Sequence, residues 1–135
     1  EVKAIGTGTD KKKYTAVLNT VFDPVQILLI PDTTYISSDG KDVVVVEAIL
    51  KDKNSNTSYL ANNKIEFTVS GEGTIIGTDN GDAKCVDSFK LPWKNAYAGR
   101  CIVLVQSTKS PGKITISASS EGLPAKSIQV ESGLN

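Results

Sequence analysis

The sequence predicts an all-β fold: a β-sandwich of about seven strands with Greek-key connections. Three observations carry this. Apolar residues recur at every second position in short runs, as at Ile65, Phe67 and Val69 and again at Ile114, Ile116 and Ala118. That period belongs to half-buried strands. Glycine, proline and asparagine separate the runs at sandwich-like intervals. No window places apolar residues at the 3.6-residue spacing of an amphipathic helix.

The elements follow in order. Residues 1–22 read as a hairpin and its linker. EVKAIGT alternates, Gly8 to Lys13 is a polar turn, and in the second run Tyr14, Ala16 and Leu18 share one side. An isolated hairpin is marginal in water, so this segment is expected to be loosely held or to pair with another copy. The sandwich is expected over residues 23–135. Val25, Ile27 and Leu29 alternate and end at Pro31. In SSDGKD, Gly40 tolerates a positive φ and Asp39 bonds to local backbone, which makes a turn. Val43 to Leu50 is nearly continuously apolar, as suits a central strand packed on both sides. Lys51 to Asn63 is a polar loop. Ile65, Phe67 and Val69 form one inward row against Glu66, Thr68 and Ser70. GEGTIIGTDNGD, Gly71 to Asp82, is a glycine-rich strand and turn. Lys84 to Ala98 breaks the rhythm as a long, partly apolar loop. Cys101, Val103 and Val105 form another inward row, Ile114, Ile116 and Ala118 a third, and Ile128 and Val130 close the domain.

Composition narrows the function. The 135 residues support one domain, and a (β/α)8 barrel needs about 250. Lys plus Arg equals Asp plus Glu at 15 each, so the basic excess of a nucleic-acid binder is missing. No run approaches the ~18 apolar residues of a membrane helix, so no membrane insertion is expected. Histidine is absent, which removes Ser-His-Asp and Cys-His catalysis and imidazole zinc sites; two cysteines alone do not make a structural zinc site. No cofactor or metal is expected.

Four segments together resemble the C-terminal immunoglobulin-like domain of glycoside hydrolase family 2 enzymes of the bacterial β-galactosidase type: IPDTTYISSDGKD, GTIIGTDNGD, YAGRCIVLVQST and the PG-initiated strand ending in SEGL. TAVLNTVFDPVQI also resembles that family's interdomain junction. The resemblance runs from Pro24 to Val130. It departs from the family at Ala83, Lys84 and Cys85 and at Trp93. It implies an immunoglobulin-like β-sandwich with no catalytic residues of its own, because the family's catalytic carboxylates sit in a separate barrel. It implies an accessory role, bracing or positioning that barrel, with the other domains of the parent glycosidase as partners and oligosaccharide as a further candidate. It makes residues 1–22 the last hairpin of a preceding domain. Export to the periplasm, cell surface or medium is the location it implies. The alternatives are a carbohydrate-binding module and a bacterial adhesin-type immunoglobulin-like repeat.

Each candidate site has a structural reading beside the functional one. Asp79, Asn80 and Asp82 are secondary candidates for carbohydrate or interdomain contact; they superficially resemble a calcium loop, but lack the alternating oxygens and distal glutamate of one. Asn80-Gly81 is a strong hairpin-turn signal. Gly71, Gly73 and Gly77 have no following helix to hold a phosphate, and suit a bulge or close backbone crossing. Cys85 and Cys101 are candidates for a disulfide in an exported protein, or for small buried side chains. Glu72 and Asp79 work as an acid–base couple only if they face each other at about 5–10 Å. Phe89, Trp93 and Tyr97, on the long loop, are the candidates for sugar or interdomain contact, since aromatic faces stack on the apolar face of a pyranose. Packing of Trp93 within the domain ranks first, docking on the parent second, sugar stacking third. Lys90 and Lys94 flank Trp93 and are expected to keep that loop solvated if the ring turns outward; an inward or semi-buried ring, which would hold the loop down, is the favoured arrangement.

Overall fold

The computed structural model describes residues 1–134. Eleven strands account for the regular structure: β1 (Val2–Thr7), β2 (Lys13–Leu18), β3 (Pro24–Pro31), β4 (Tyr35–Ser37), β5 (Val43–Asp52), β6 (Lys64–Gly71), β7 (Gly73–Asp79), β8 (Trp93–Asn95), β9 (Arg100–Ser107), β10 (Gly112–Ser119) and β11 (Lys126–Gly133). β1 and β2 form a separate hairpin. The other nine make an immunoglobulin-like sandwich of a five-stranded sheet, β4-β11-β10-β6-β8, and a four-stranded sheet, β3-β5-β9-β7. Pairing is antiparallel except between β4 and β11. The excess over about seven strands comes from the hairpin and from the three-residue strands β4 and β8.

The inward rows meet where the alternation places them. Ile65, Phe67, Val103, Val105, Ile114 and Ile116 are all buried, and Val69 packs against them half-buried. β5 contributes Val44, Val46, Ala48 and Leu50 from the centre of its sheet, between β3 and β9. Val25 departs from the expected row. A bulge between Pro24 and Gln26 breaks the register and leaves it exposed, whereas Ile27 and Leu29 are buried.

The glycine-rich segment is where the chain changes sheets. β6 ends at Gly71 and β7 starts at Gly73 in the opposite sheet, with only Glu72 between. Gly71 has φ +86°, and a β-carbon there would meet the Lys113 carbonyl oxygen at 2.0 Å. Only glycine permits that close backbone crossing. A second bulge, between Ile75 and Gly77, turns Ile76 outward at the sheet edge.

The loop after β7 does not close a hairpin. β7 pairs with β9, and the chain crosses to lay β8 on the edge of β6. Trp93 therefore lies in a strand rather than an irregular loop. At the other end, the linker from the hairpin is pinned to the sandwich. The Phe22 amide donates to Asp52 Oδ2 at 3.1 Å, Ser58 Oγ donates to the Phe22 carbonyl at 2.9 Å, and the Lys53 ammonium stands 4.0 Å from the Phe22 ring centre.

Candidate functional site

The sequence-selected residues separate into three places. Asp79, Asn80 and Asp82 build consecutive side-chain-to-backbone turns. Asp79 Oδ1 accepts the Asn80 and Gly81 amides at 2.8 and 3.3 Å, Asn80 Oδ1 accepts Asp82 N–H at 3.0 Å, and Asp82 Oδ1 accepts Lys84 N–H at 2.9 Å. Gly81 alone of the four has a positive φ, so this is a run of local turns and not a two-residue hairpin. The Asn80 amide nitrogen also donates to the Asn95 carbonyl at 2.9 Å, tying the loop to β8. Among the described residues no cluster of carboxylates and cysteines suits a metal ion.

The carboxylates imagined as an acid–base couple are far apart. Glu72 and Asp79 bracket the length of β7. At about 3.3 Å per residue, that strand separates them by roughly 20 Å, too far for the about 5–10 Å of a glycosidase pair. Glu72 accepts the Thr108 hydroxyl instead.

The aromatic loop is organised by a residue that sequence reasoning placed wrongly. Lys94, expected in solvent, is fully buried. It pairs with Ile65 across the β6–β8 ladder and so points into the sandwich, while Trp93 and Asn95 take the outer face. Its ammonium donates to the carbonyls of Asp87 at 3.1 Å and Ser88 at 3.4 Å, and lies 5.3 Å from the Phe89 ring centre. Buried charge must be satisfied; here the loop's own carbonyls satisfy it and the loop is thereby held down. Phe89 and Tyr97 remain exposed. Trp93 is half-buried on the outer face, with the Lys64 ammonium 4.6 Å from its ring centre. The alternation of WKN carried a signal for Lys94, had β8 been recognised as a strand.

Both cysteines are free. Cys101 points into the core, and burial pushes its thiol up to about 12 against the smaller opposing effect of the Lys94 charge. Cys85 lies on the loop, with its sulfur 3.8 Å from Asp87 Oδ2 and 4.0 Å from Lys94 Nζ. The disulfide considered from the sequence is therefore not formed in this structure. The two cysteines sit on different parts of the fold, one on an inward strand row and one on the loop.

The two outer sheet faces differ in chemistry. The five-stranded sheet presents Glu66, Thr68 and Ser70 from β6, Lys113, Thr115, Ser117 and Ser119 from β10, and Ser127, Gln129 and Glu131 from β11. The four-stranded sheet presents Leu28 and Ile30 from β3, Val43 and Val45 from β5, and Ile102 and Leu104 from β9, with Gln26, Lys51 and Gln106 towards the strand ends. Leu28 and Ile30 are 37% and 44% exposed. Val45 stands opposite Leu104, and one ion pair, Glu47 with Arg100, crosses the patch. The hairpin repeats this pattern: Val2, Ala4 and Gly6 face Leu18, Ala16 and Tyr14, so one side is apolar apart from the Tyr14 hydroxyl, and every strand residue is exposed.

A family model described as glycoside hydrolase family 2 C-terminal domain 5 matches residues 27–129. The chain belongs to this family. Over 122 residues, 90% of its length, this family 2 C-terminal domain is 36% identical to the beta-galactosidase BoGH2A of Bacteroides ovatus, and it covers 14% of that protein. A solved glycosyl hydrolase family 2 member from Bacteroides cellulosilyticus superposes on 95% of the chain with a TM-score of 0.89 and 29% identity, over 18% of the larger chain. A C-terminal fragment of intimin superposes on 80% of the chain at 16% identity with a TM-score of 0.57 and covers 33% of that fragment chain, a likeness of fold alone. The domain thus spans about one-seventh of the curated relatives it matches.

Proposed function

We propose that this is a non-catalytic accessory domain of a family 2 glycoside hydrolase of the β-galactosidase type, which docks on the rest of its polypeptide and braces the catalytic part. The observation that carries this is the apolar patch on the outer face of the four-stranded sheet: Leu28, Ile30, Val43, Val45, Ile102 and Leu104. A sheet face that meets water is ordinarily polar, and a contiguous exposed apolar patch marks an interaction surface. The partner is another domain of the same chain. The relatives are about seven times longer than this domain, and a tethered partner binds at high effective concentration. The hairpin supports the same reading. Its apolar side needs a cover, and its linker is clamped at Phe22 onto the Asp52 loop. The hairpin belongs to the preceding domain's sheet, and the clamp sets the angle between the two. The separation of Glu72 and Asp79 and their engagement in local hydrogen bonds support the absence of catalysis here.

Side-chain footprinting by hydroxyl radicals tests this. In the longer native polypeptide, Leu28, Ile30 and Leu104 are labelled less than in the isolated domain, while Tyr59 keeps its reactivity. Equal labelling of the sheet face in both would refute docking. The isolated domain turns over no chromogenic β-galactoside; turnover lost on mutating one carboxylate would refute the non-catalytic reading.

A further inference from the structure

The polar sheet holds a concavity that docking does not use. An open groove of about 700 Å³ runs between β6 and the end of β10, lined by Asn63, Lys64, Glu66, Ser119, Ser120 and Glu121. Glu66 lies opposite Ser119 on one side and Trp93 on the other, so Trp93 is the cross-strand neighbour of a groove-lining residue. Lys64 bridges the two features. Its ammonium is 2.9 Å from Glu66 Oε1 and 4.6 Å from the Trp93 ring centre. Asn95 extends the same outward row, opposite Lys64.

We infer that this groove is a binding site for a neutral oligosaccharide, with Trp93 as the stacking surface. The chemistry of the walls selects that ligand. A carbohydrate site combines an aromatic face with several convergent hydroxyl, amide and carboxylate groups. Glu66 and Glu121 accept hydrogen bonds from sugar hydroxyls, and Asn63, Ser119 and Ser120 both donate and accept. Two carboxylates against one ammonium leave the groove net negative, which disfavours a uronic acid and favours a neutral sugar. An exposed lysine, and not packed core, stands over the ring. A pyranose displaces the Lys64 ammonium and covers the indole in its place. The site lies on the opposite sheet from the proposed docking face, so it functions whether or not that face is occupied.

Trp93 is the only tryptophan, so its emission reports this site alone. The isolated domain is titrated with galactose, β-linked galacto- and gluco-oligosaccharides, and a uronate-containing oligosaccharide. A neutral oligosaccharide is expected to give a saturable emission change with a dissociation constant at or below about 1 mM. Glu66→Gln weakens it by about tenfold or more, because a charge-assisted acceptor is lost. Glu131→Gln, on the far side of the same face, leaves it unchanged. Unfolding midpoints of both variants match the parent, since both positions are exposed. No saturable change with any sugar up to about 10 mM, ten times that limit, overturns the inference. So does an undiminished change in Glu66→Gln, or tighter binding of the uronate. Because the titration uses the isolated domain, failure here leaves the docking proposal intact, and failed footprinting leaves this one intact.

Discussion

On the outer face of the five-stranded sheet, β6 presents Glu66, Thr68 and Ser70 beside inward Ile65 and Phe67; on the four-stranded sheet, β9 presents Ile102 and Leu104 beside inward Val103 and Val105. Both strands obey the same period, and both inward sets enter the same core. They differ only in what the outward set must meet. Hydroxyls and charges on β6, β10 and β11 keep their hydrogen bonds to water, as the Ser117–Ser127 hydroxyl pair at 2.7 Å still allows. Ile102 and Leu104 gain nothing from water and are stabilised by cover. The folding core therefore accounts for one face of each strand. The other face is free to differ in chemistry, and under the docking proposed above the more apolar one is the joint.

The sharpest way to break this comparison is to exchange the two faces of one strand. Phe67→Ala is expected to cost about 3–5 kcal/mol, and Thr68→Ala within about 0.5 kcal/mol, by urea denaturation. Comparable losses would mean that the facing of β6 is wrong.

Acid probes the clamp between Phe22 and Asp52. Burial works against the Asp52 carboxylate, but the amides of Phe22, Asn56 and Asn54 outweigh it and hold its pKa below the ordinary 3.8. Its contribution is thus complete above the unfolded value and lost as pH falls through the lower folded one. The Phe22 amide should lose exchange protection below about pH 4 while Ile116 keeps its own, after correction for intrinsic rates. Asp52→Asn should remove that pH dependence. An unchanged profile in the variant would show that Asp52 is not the group responsible.

The smallest effect separates cover from stability. Leu104→Ser in the isolated domain is expected to change stability by less than about 1 kcal/mol, because the side chain is already half solvated. It should still reduce binding of an apolar fluorescent dye, whereas Thr115→Val on the polar sheet should increase it. A large stability loss from Leu104→Ser would make that face part of the core rather than a joint.

Strand periodicity was legible because it is local. The inward rows of β6, β9 and β10 follow from alternation alone, and the Asp39–Gly40 turn from its residue types; the bulge or close crossing expected of Gly71, Gly73 and Gly77 resolves into a crossing at Gly71 and a bulge beside Gly77. Continuous apolarity in Val43–Leu50 indicated a central strand packed on both sides; β5 is central, but its outward Val43 and Val45 are only partly buried. The same signal stood in Ile27–Ile30 and Cys101–Val105, where only the inward halves are assigned from the sequence. Val25 was misplaced because a bulge shifts the period by one, and nothing local announces it.

Tertiary structure alone decided the rest. Lys94 reads as a surface charge beside Trp93, and becomes the fully buried anchor of its loop only because β8 pairs with β6 and turns it inward. Asp52 reads as a loop carboxylate, yet it receives an amide from thirty residues earlier in the chain. The groove beside Trp93 brings Lys64 and Glu66 together with Ser119 and Glu121 from a strand end far along the sequence. Periodicity and turn chemistry act between neighbours in sequence and are written there. Burial of a charge, clamping of a linker and the walls of a groove depend on contacts between distant segments, which exist only once the sheets have formed.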